Sequence, residues 1–262
     1  MRKIAYLALD VHVRHCVLGD MDNNGKFLGT KRFVTTEQNI IRALKTVSAK
    51  NKFLVIEEGT LSHWVAQAAS PFVNQVNICD PRENALIYKS TNKNDKVDVQ
   101  RLCRLLRLNE IKHVYHPEDD HRAVFKAAVQ HYLDISHQKI RIKQKIKAMY
   151  RHWGIIDVFG DRIYNSKSYD EYLKQIPHRP VRNQVKRLYC LLDNNRMVLK
   201  AALTEMKQLG RKYPEIKQFK KIPGIGDIGA HVFDAFIQTP HRFAKRNQVW
   251  KYCRLSVTDR SS

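Results

Sequence analysis

Four acidic residues occupy positions where their types and spacing could support metal chemistry. Asp10 ends a short apolar run, and Glu57 directly follows the apolar run Phe-Leu-Val-Ile. A carboxylate in such a setting is costly unless it is paired, hydrogen-bonded or bound to a metal. Asp95 and Asp98 are three residues apart at the start of a predicted helix, so they share one helical face. Together the four carboxylates predict an oxygen-rich Mg²⁺ site in which two ions can clamp a phosphodiester.

The segments around these acids predict an α/β domain of the RNase H-like type. An Asp-Asn-Asn-Gly turn at residues 22–25 predicts a hairpin, because Asn and Gly tolerate positive φ. The predicted order is three strands joined by tight turns, followed by helix, strand, helix and strand. In such a sheet the first and fourth strands are neighbours, so Asp10 and Glu57 are expected to face each other across a bound cation. Strands are predicted at residues 4–10, 15–19, 26–35, 52–56 and 75–79, and helices at residues 36–49, 61–69 and from 81 onward.

From residue 118 the apolar residues recur in steps of three and four, which is typical of long helices. One stripe extends from Phe125 to Trp153 and the other from Val185 to Leu209, each covering about four heptads. The pattern fits a coiled coil and an ordinary helical bundle equally well. The helices could pair as an antiparallel hairpin within one chain or between chains of a homodimer or homotetramer. Lys139 and Asn195 interrupt the stripes, and polar residues at such positions often fix register or oligomeric state.

A glycine-rich segment near the C-terminus predicts a phosphate-binding turn. Gly224, Gly226 and Gly229 satisfy G-x-G-x-x-G, but a lysine-rich helical segment precedes them where a dinucleotide-binding fold requires a strand. The segment fits a helix-hairpin-helix better, since its tight Pro-Gly-x-Gly turn aims backbone N–H groups at a phosphate. A plain turn between helices is the alternative. Three lysines just upstream would neutralise a nucleic-acid strand: Lys217, Lys220 and Lys221.

Charge and composition favour a nucleic-acid partner. The 262-residue chain has a formal net charge of +22, of which residues 1–100 carry +4 and residues 101–262 carry +18. Such a basic excess indicates polyanion binding, the alternative being a merely basic soluble protein. The 43% hydrophobic content excludes a disordered chain, and the absence of an 18-residue apolar run excludes an ordinary transmembrane helix. Five scattered cysteines without a C-x-x-C motif predict a reduced, cytoplasmic protein.

His12, His15 and Cys16 do not predict a zinc site. Neighbouring residues of a strand face opposite sides of the sheet, and no second pair of ligands follows in the sequence.

In their order along the chain, these motifs resemble the DEDD transposases of the insertion sequence 110 type, relatives of the Piv and MooV invertases. The resemblance covers essentially the whole chain, from Leu-Asp10-Val-His through Ile-Glu57-Glu-Gly to residues 242–262. The remaining motifs are Lys-Asn-Asp95-Lys-Val-Asp98 and Ile-Pro-Gly-Ile-Gly. The resemblance implies that the acidic quartet is Asp10, Glu57, Asp95 and Asp98. Glu58 stands where the family usually has a small residue.

The resemblance also implies a domain organisation and an activity. It implies a RuvC-type catalytic domain at residues 1–112, a coiled-coil region at 113–212 and a small all-α helix-hairpin-helix transposase domain at 213–262. It further implies Mg²⁺-assisted DNA strand exchange through a serine–DNA phosphodiester. In characterised relatives a structured RNA encoded by the element guides this reaction. The expected partners are therefore DNA and a guide RNA, and the expected location is the cytoplasmic nucleoid.

Ser261 and Ser262 fall about where the family has its nucleophilic serine. Family members continue for some tens of residues beyond this point, so the resemblance predicts a C-terminally truncated transposase. A serine near a frayed chain end is poorly held for in-line attack, and we expect such a chain to bind nucleic acid but to recombine poorly. Two alternatives are a RuvC-like nuclease that activates water with the same carboxylates and a non-catalytic nucleic-acid-binding protein.

Overall fold

The computed structural model describes residues 2–81, 95–115 and 120–253. The chain divides into two compact units, Met1–His116 and Pro117–Ser262. The first unit is an α/β domain and the second is helical, as the sequence predicts. The elements of the first unit are β1 (Arg2–Val11), β2 (His15–Asp22), β3 (Phe27–Val34), α1 (Glu37–Lys45), β4 (Ala49–Glu57), α2 (Ser62–Ala69), β5 (Gln75–Cys79) and α3 (Asp95–Leu108).

The strands of the first unit form one mixed sheet with the order β3-β2-β1-β4-β5. β1, β2 and β3 form an antiparallel meander, whereas β4 and β5 lie parallel to β1. β1 and β4 are therefore neighbours, as the sequence predicts. Their register pairs Leu9 with Ile56, which brings the last residues of the two strands to the same end of the sheet.

Side chains of the strands alternate between two apolar layers. On one face Leu7, Leu9 and Ile56 pack in a core that includes residues of α1 and α2. On the other face Ala8 and Val55 pack with residues of α3. α3 thus covers the face opposite α1 and α2, which decides where the acidic residues of its first turn lie.

The largest difference between a predicted and an observed boundary is at the end of α1, while the strand ends differ by at most three residues. The helix predicted to reach Ala49 ends at Lys45, and Ala49 instead begins β4. Ala49 pairs with Arg2 at the start of β1, so the parallel pairing extends β4 toward its N-terminus and ends the helix early. Thr36 caps α1, since its side chain accepts a hydrogen bond from the Asn39 N–H. The helix predicted from Pro81 onward falls almost entirely on residues 82–94, outside the described residues.

The second unit is built on two long helices that run antiparallel within one chain. Met206 shares an apolar cluster with Phe125 near one end, and the hydroxyl oxygens of Tyr150 and Tyr189 lie 3.2 Å apart toward the other. The apolar stripes are therefore largely buried by intrachain pairing, the first of the two predicted alternatives. The elements of this unit are α4 (Asp120–His152), α5 (Tyr169–Lys174), α6 (Arg179–Gly210), α7 (Glu215–Phe219), α8 (Asp227–Ile237) and α9 (Arg246–Tyr252).

Asn195 is the polar residue that the sequence places in the second stripe. It is buried in α6, and its Nδ2 donates a hydrogen bond to the backbone oxygen of Ile135 in α4 at 3.2 Å. This bond joins the two helices at a defined register. The coiled-coil interpretation, the division into three domains and the oligomeric state remain predictions.

Candidate active site

Asp10 and Glu57 lie on the face of the sheet that α3 covers. Asp10 follows Ala8 by two residues on β1, and Glu57 follows Val55 by two residues on β4, so each side chain has the orientation of its α3-facing neighbour. The Leu9–Ile56 pairing brings the two acids to adjacent positions at the end of both strands. The sheet thus places them side by side, as the sequence predicts.

Asp95 and Asp98 are in the first turn of α3, where a negative charge is favoured by the helix dipole. Their side chains are 44% and 43% exposed. α3 approaches the sheet closely at Gly19 of β2, where an added Cβ would lie 2.9 Å from the Val99 Cβ. This contact lies one turn into α3. It sets the distance between the first turn of the helix and the sheet.

Two histidines join the acids at this end of the sheet. His12 Nε2 lies 3.0 Å from Asp10 Oδ2, and His15 Nε2 lies 3.8 Å from Asp95 Oδ2. The two imidazole ring centroids are 4.9 Å apart. A chain of side chains therefore links the end of β1 to the first turn of α3.

These histidines are not assigned to the site by the sequence motifs. The alternation of strand residues correctly separates Cys16, which is buried in the opposite apolar layer. His15, in contrast, has the same strand parity as Val17 and Gly19, both of which face α3. Two features of the sequence could have identified His12 and His15. These are the side of the sheet toward which alternate strand residues point and the short connection between β1 and β2.

The side chains at the end of the sheet suit a divalent cation. Asp10 follows Ala8 and Leu9, which are at most 1% exposed, whereas its own side chain is 19% exposed. Glu57 and the two acids of α3 are more open to solvent. Carboxylate oxygens are the ligands that Mg²⁺ prefers. Asp10, Glu57, Asp95 and Asp98 are the ligands that the sequence predicts. Among the described residues, however, the three potential ligands whose atoms all lie within 4.8 Å of one another are His12, His15 and Asp95.

The predicted phosphate-binding turn joins α7 to α8. Gly224 has φ +87°, a conformation that favours glycine, and Gly226 directly precedes α8. Both glycines and the lysines Lys217, Lys220 and Lys221 lie at positions open to solvent.

Asp227, which no sequence motif singles out, begins α8 beside this turn. Lys207 Nζ donates a hydrogen bond to its Oδ2 at 2.6 Å, and Lys220 Nζ donates one to its Oδ1 at 2.8 Å. These hydrogen bonds lower the pKa of Asp227 to about 2. Lys220 is therefore already paired with a carboxylate within the chain, which distinguishes it from Lys217 and Lys221. Ser261 and Ser262 lie outside the described residues.

Comparison with protein families defines the class of the protein. Residues 7–152 match the DEDD transposases of the IS110 type, a region that includes all four acids and more than half of the chain. Residues 216–262 match the transposase IS116/IS110/IS902 family, a region that includes the glycine turn and both terminal serines. The protein is thus a transposase. The chain belongs to the IS110 family.

A comparison with curated proteins finds no match. Within the part of the chain that the structure describes, no helix has both the length and the apolarity that crossing a membrane requires.

Proposed function

We propose that this transposase has an RNase H-like, RuvC-type catalytic domain in which Asp10, Glu57, Asp95 and Asp98 hold Mg²⁺. The observation that supports the proposal is the adjacency of Asp10 and Glu57 on the face of the sheet that α3 covers, with Asp95 and Asp98 in the first turn of that helix. The sheet order β3-β2-β1-β4-β5, antiparallel on one side of β1 and parallel on the other, supports the fold assignment.

The proposed roles of the four residues differ because two of them lie on strands of the sheet and two lie in a helix. Asp10 and Glu57 lie at the ends of neighbouring strands and follow buried residues, so the sheet fixes their backbone positions. Asp95 and Asp98 approach from the helix and close the site on the side of α3. When bound, Mg²⁺ would polarise the scissile phosphate and stabilise the charge that develops on the leaving oxygen. The exposed edge of the site leaves room for a nucleic-acid strand.

Ser261 or Ser262 is our proposed nucleophile. Attack by its hydroxyl oxygen on phosphorus would form a serine–DNA phosphodiester and break the bond to one DNA oxygen, which leaves as a hydroxyl. A serine hydroxyl is a weak nucleophile that requires activation by a base or a metal. The match of residues 216–262 to the transposase family supports a role for this segment in the reaction.

We further propose that the chain binds DNA together with a structured guide RNA, as a homodimer or homotetramer. The +18 charge of residues 101–262 supports a polyanionic partner. Lys217 and Lys221 would each contact a phosphate, so replacing either by Ala would lower the slope of log affinity against log salt by about 1. Lys220→Ala is the matched comparison and would change the slope less, because Lys220 already pairs with Asp227.

Thermal melting with and without metal tests the proposed metal site. At ten times its dissociation constant, a ligand that binds only the folded state adds about 1.4 kcal/mol of stability. We expect Mg²⁺ or Mn²⁺ to raise the melting temperature by about 3–6 °C. The Asp10→Asn/Asp98→Asn variant should lose this shift. Glu37→Gln is the control, because Glu37 is also an exposed acid in a first helical turn but lies in α1, across the sheet. A full shift in the double variant would overturn the assignment.

Trapping of a protein–DNA adduct tests the covalent step. We expect a metal-dependent adduct of low yield, in keeping with the poor recombination predicted for this chain, and no adduct when both terminal serines are replaced by Ala. Metal-dependent nicking that persists in that variant would identify a nuclease that activates water. If neither nicking nor an adduct occurs in a chain that binds DNA and metal, the protein is a binding protein and the catalytic proposal fails.

A further inference from the structure

The end of the sheet contains a second set of potential metal ligands besides the four carboxylates. His12, His15 and Asp95 each offer one ligand atom, and these three atoms all lie within 4.8 Å of one another. The closest measured approach to the carboxylate is that of His15 Nε2, which lies 3.8 Å from Asp95 Oδ2. Two imidazoles and one carboxylate differ chemically from the all-oxygen set proposed for Mg²⁺.

The spacing of these atoms is close to that of three ligands around one ion. Bonds of about 2.1 Å place two ligand atoms roughly 3.4 Å apart in a tetrahedral site and at most about 4.2 Å apart in any geometry. The 3.8 Å between His15 and Asp95 already lies within this limit. No pair of these atoms is more than 4.8 Å apart, so tetrahedral spacing requires a pair to approach by at most about 1.4 Å. The His12 side chain is 50% exposed, so it has room to rotate.

Asp10 contacts His12 in the way that a carboxylate usually contacts a metal-binding histidine. Such a histidine usually donates its second ring N–H to a carboxylate, which fixes the tautomer and the orientation of the ring. The 3.0 Å contact between His12 Nε2 and Asp10 Oδ2 has this form. With Nε2 directed to Asp10, Nδ1 is the His12 nitrogen that remains for an ion.

We propose that His12, His15 and Asp95 bind a transition-metal ion, namely Mn²⁺, Co²⁺ or Zn²⁺, in a site that shares Asp95 with the carboxylate quartet. Imidazole suits these ions, whereas Mg²⁺ prefers oxygen ligands. Three protein ligands leave at least one position open for water or a phosphate oxygen. Cys16 is directed into the opposite layer, so the site has no thiolate and differs from a closed structural zinc site. This histidine site overlaps the proposed Mg²⁺ site at Asp95, but its three ligands include none of the other three carboxylates.

Cobalt is the probe for this site, because the visible absorption of Co²⁺ reports its ligands directly. The full chain should bind one equivalent of Co²⁺ with new absorption bands, and His12→Gln or His15→Gln should each weaken this binding at least tenfold. His63→Gln is the matched control, since His63 belongs to the same unit but lies on α2, across the sheet. Co²⁺ affinity that is unchanged in both His12→Gln and His15→Gln would overturn the proposal.

A second measurement needs no substitution and therefore no assumption about folding of a variant. Electron spin echo modulation of Mn²⁺ bound to the unaltered chain should detect directly coordinated nitrogen. At a Mn²⁺ concentration that fills every site of the chain, bound Mn²⁺ without any nitrogen signal would also overturn the proposal.

The Glu57→Gln/Asp98→Asn variant separates the histidine site from the proposed function. It should lose the Mg²⁺ shift in melting temperature but keep the Co²⁺ spectrum. If the unaltered chain shows no Mg²⁺ shift while the histidine-dependent Co²⁺ spectrum is present, the Mg²⁺ proposal fails and the histidine site stands. If a Mg²⁺ shift occurs without histidine-dependent Co²⁺ binding, the histidine site fails and the Mg²⁺ proposal stands.

Discussion

Acidic side chains have opposite environments in the two units of this protein. In the sheet unit, Asp95 and Asp98 are more than 40% exposed at one end of the sheet. In the helical unit, Asp234 of α8 is 3% exposed, and Arg122 Nη1 donates a hydrogen bond to its Oδ2 at 2.6 Å. Arg122 also pairs with Glu215 of α7, and its guanidinium lies 3.7 Å from the ring centre of Tyr213.

The difference separates acids that hold the fold together from acids available to an external ligand. Arg122 is in the first turn of α4, so its two carboxylate partners attach that end of the long helix to α7 and α8. Desolvation makes such a buried pair a weak source of net stability, but removing one partner leaves an uncompensated charge. The acids at the end of the sheet remain accessible, and an ion from solution can supply the compensating charge.

The largest expected effect concerns the buried pair. Arg122→Met should destabilise the protein by about 3–5 kcal/mol, because it leaves Asp234 buried without its cation. Chemical denaturation followed by circular dichroism measures this change. The control is Arg162→Met, which removes a pair with Glu171 whose side chains are 67% and 57% exposed. That variant should lose less than about 1 kcal/mol. Equal losses in the two variants would contradict the distinction drawn between buried and exposed acids.

The pH dependence of stability should also differ between the two kinds of acid. Burial raises the pKa of Asp234 to about 6, against the opposing effect of Arg122. Its other charged neighbours are Glu215, which adds to the increase, and His231, which opposes it. A carboxyl group whose pKa is raised on folding contributes stability below its unfolded pKa of about 4 and loses that contribution as pH rises through the folded value.

Asp234→Asn isolates this contribution. The stability of the unaltered chain minus that of the variant should fall by about 2 kcal/mol between pH 4 and pH 7, since each pKa unit corresponds to about 1.4 kcal/mol. Denaturant midpoints measured in steps of pH provide the comparison. The pH dependence of stability that Asp227 contributes has the opposite sign. Its lowered pKa gives stability that disappears only as pH falls toward 2. A constant difference across the range would mean that Asp234 stays ionised in the folded state.

The close approach at Gly19 predicts an intermediate effect that links packing to the site. An added Cβ would lie 2.9 Å from Val99, so Gly19→Ala should move α3 away from the sheet and cost about 1–3 kcal/mol. The same displacement should reduce the Mg²⁺ shift in melting temperature, since Asp95 and Asp98 move with the helix. Gly59→Ala is the matched variant, because its added Cβ meets nothing within 4 Å. Unchanged stability and metal response in Gly19→Ala would show that the helix position is not set there.

Much of the sheet could be predicted because its signals are local. The alternation of apolar residues and the turn at residues 22–25 predict the strands, and the strand order brings Asp10 and Glu57 together. The position of His12 and His15 beside the acids required one further step. It depends on which face α3 covers, and that choice follows from packing at Gly19 and Val99 rather than from any local motif.

The ion pair of Asp234 could not be predicted from the local sequence. Asp10 and Asp234 both stand in apolar surroundings, in Leu-Ala-Leu-Asp and in Val-Phe-Asp-Ala-Phe. An acidic residue among apolar residues is therefore found at the open end of the sheet for Asp10 and in a buried ion pair for Asp234. The deciding partner of Asp234 is Arg122, which is 112 residues away in the sequence. Nothing in the spacing of either residue predicts that contact.

The smallest expected change in stability most directly tests the difference between acids that hold the fold together and acids that are available to an external ligand. The Asp98 side chain is 43% exposed, and its ion pair with Arg101 spans 3.8 Å within one helix. Exposed pairs of this kind contribute about 0.3–0.5 kcal/mol, so in the metal-free protein Asp98→Asn should change the free energy of unfolding by no more than that. The same substitution should reduce the Mg²⁺ shift, since it removes one of the four proposed oxygen ligands. Paired denaturation curves with Mg²⁺ and with a chelator measure both effects in one experiment. A large loss of stability without metal would assign Asp98 to the fold, as with Asp234, whereas a loss confined to the Mg²⁺ curve assigns it to the site.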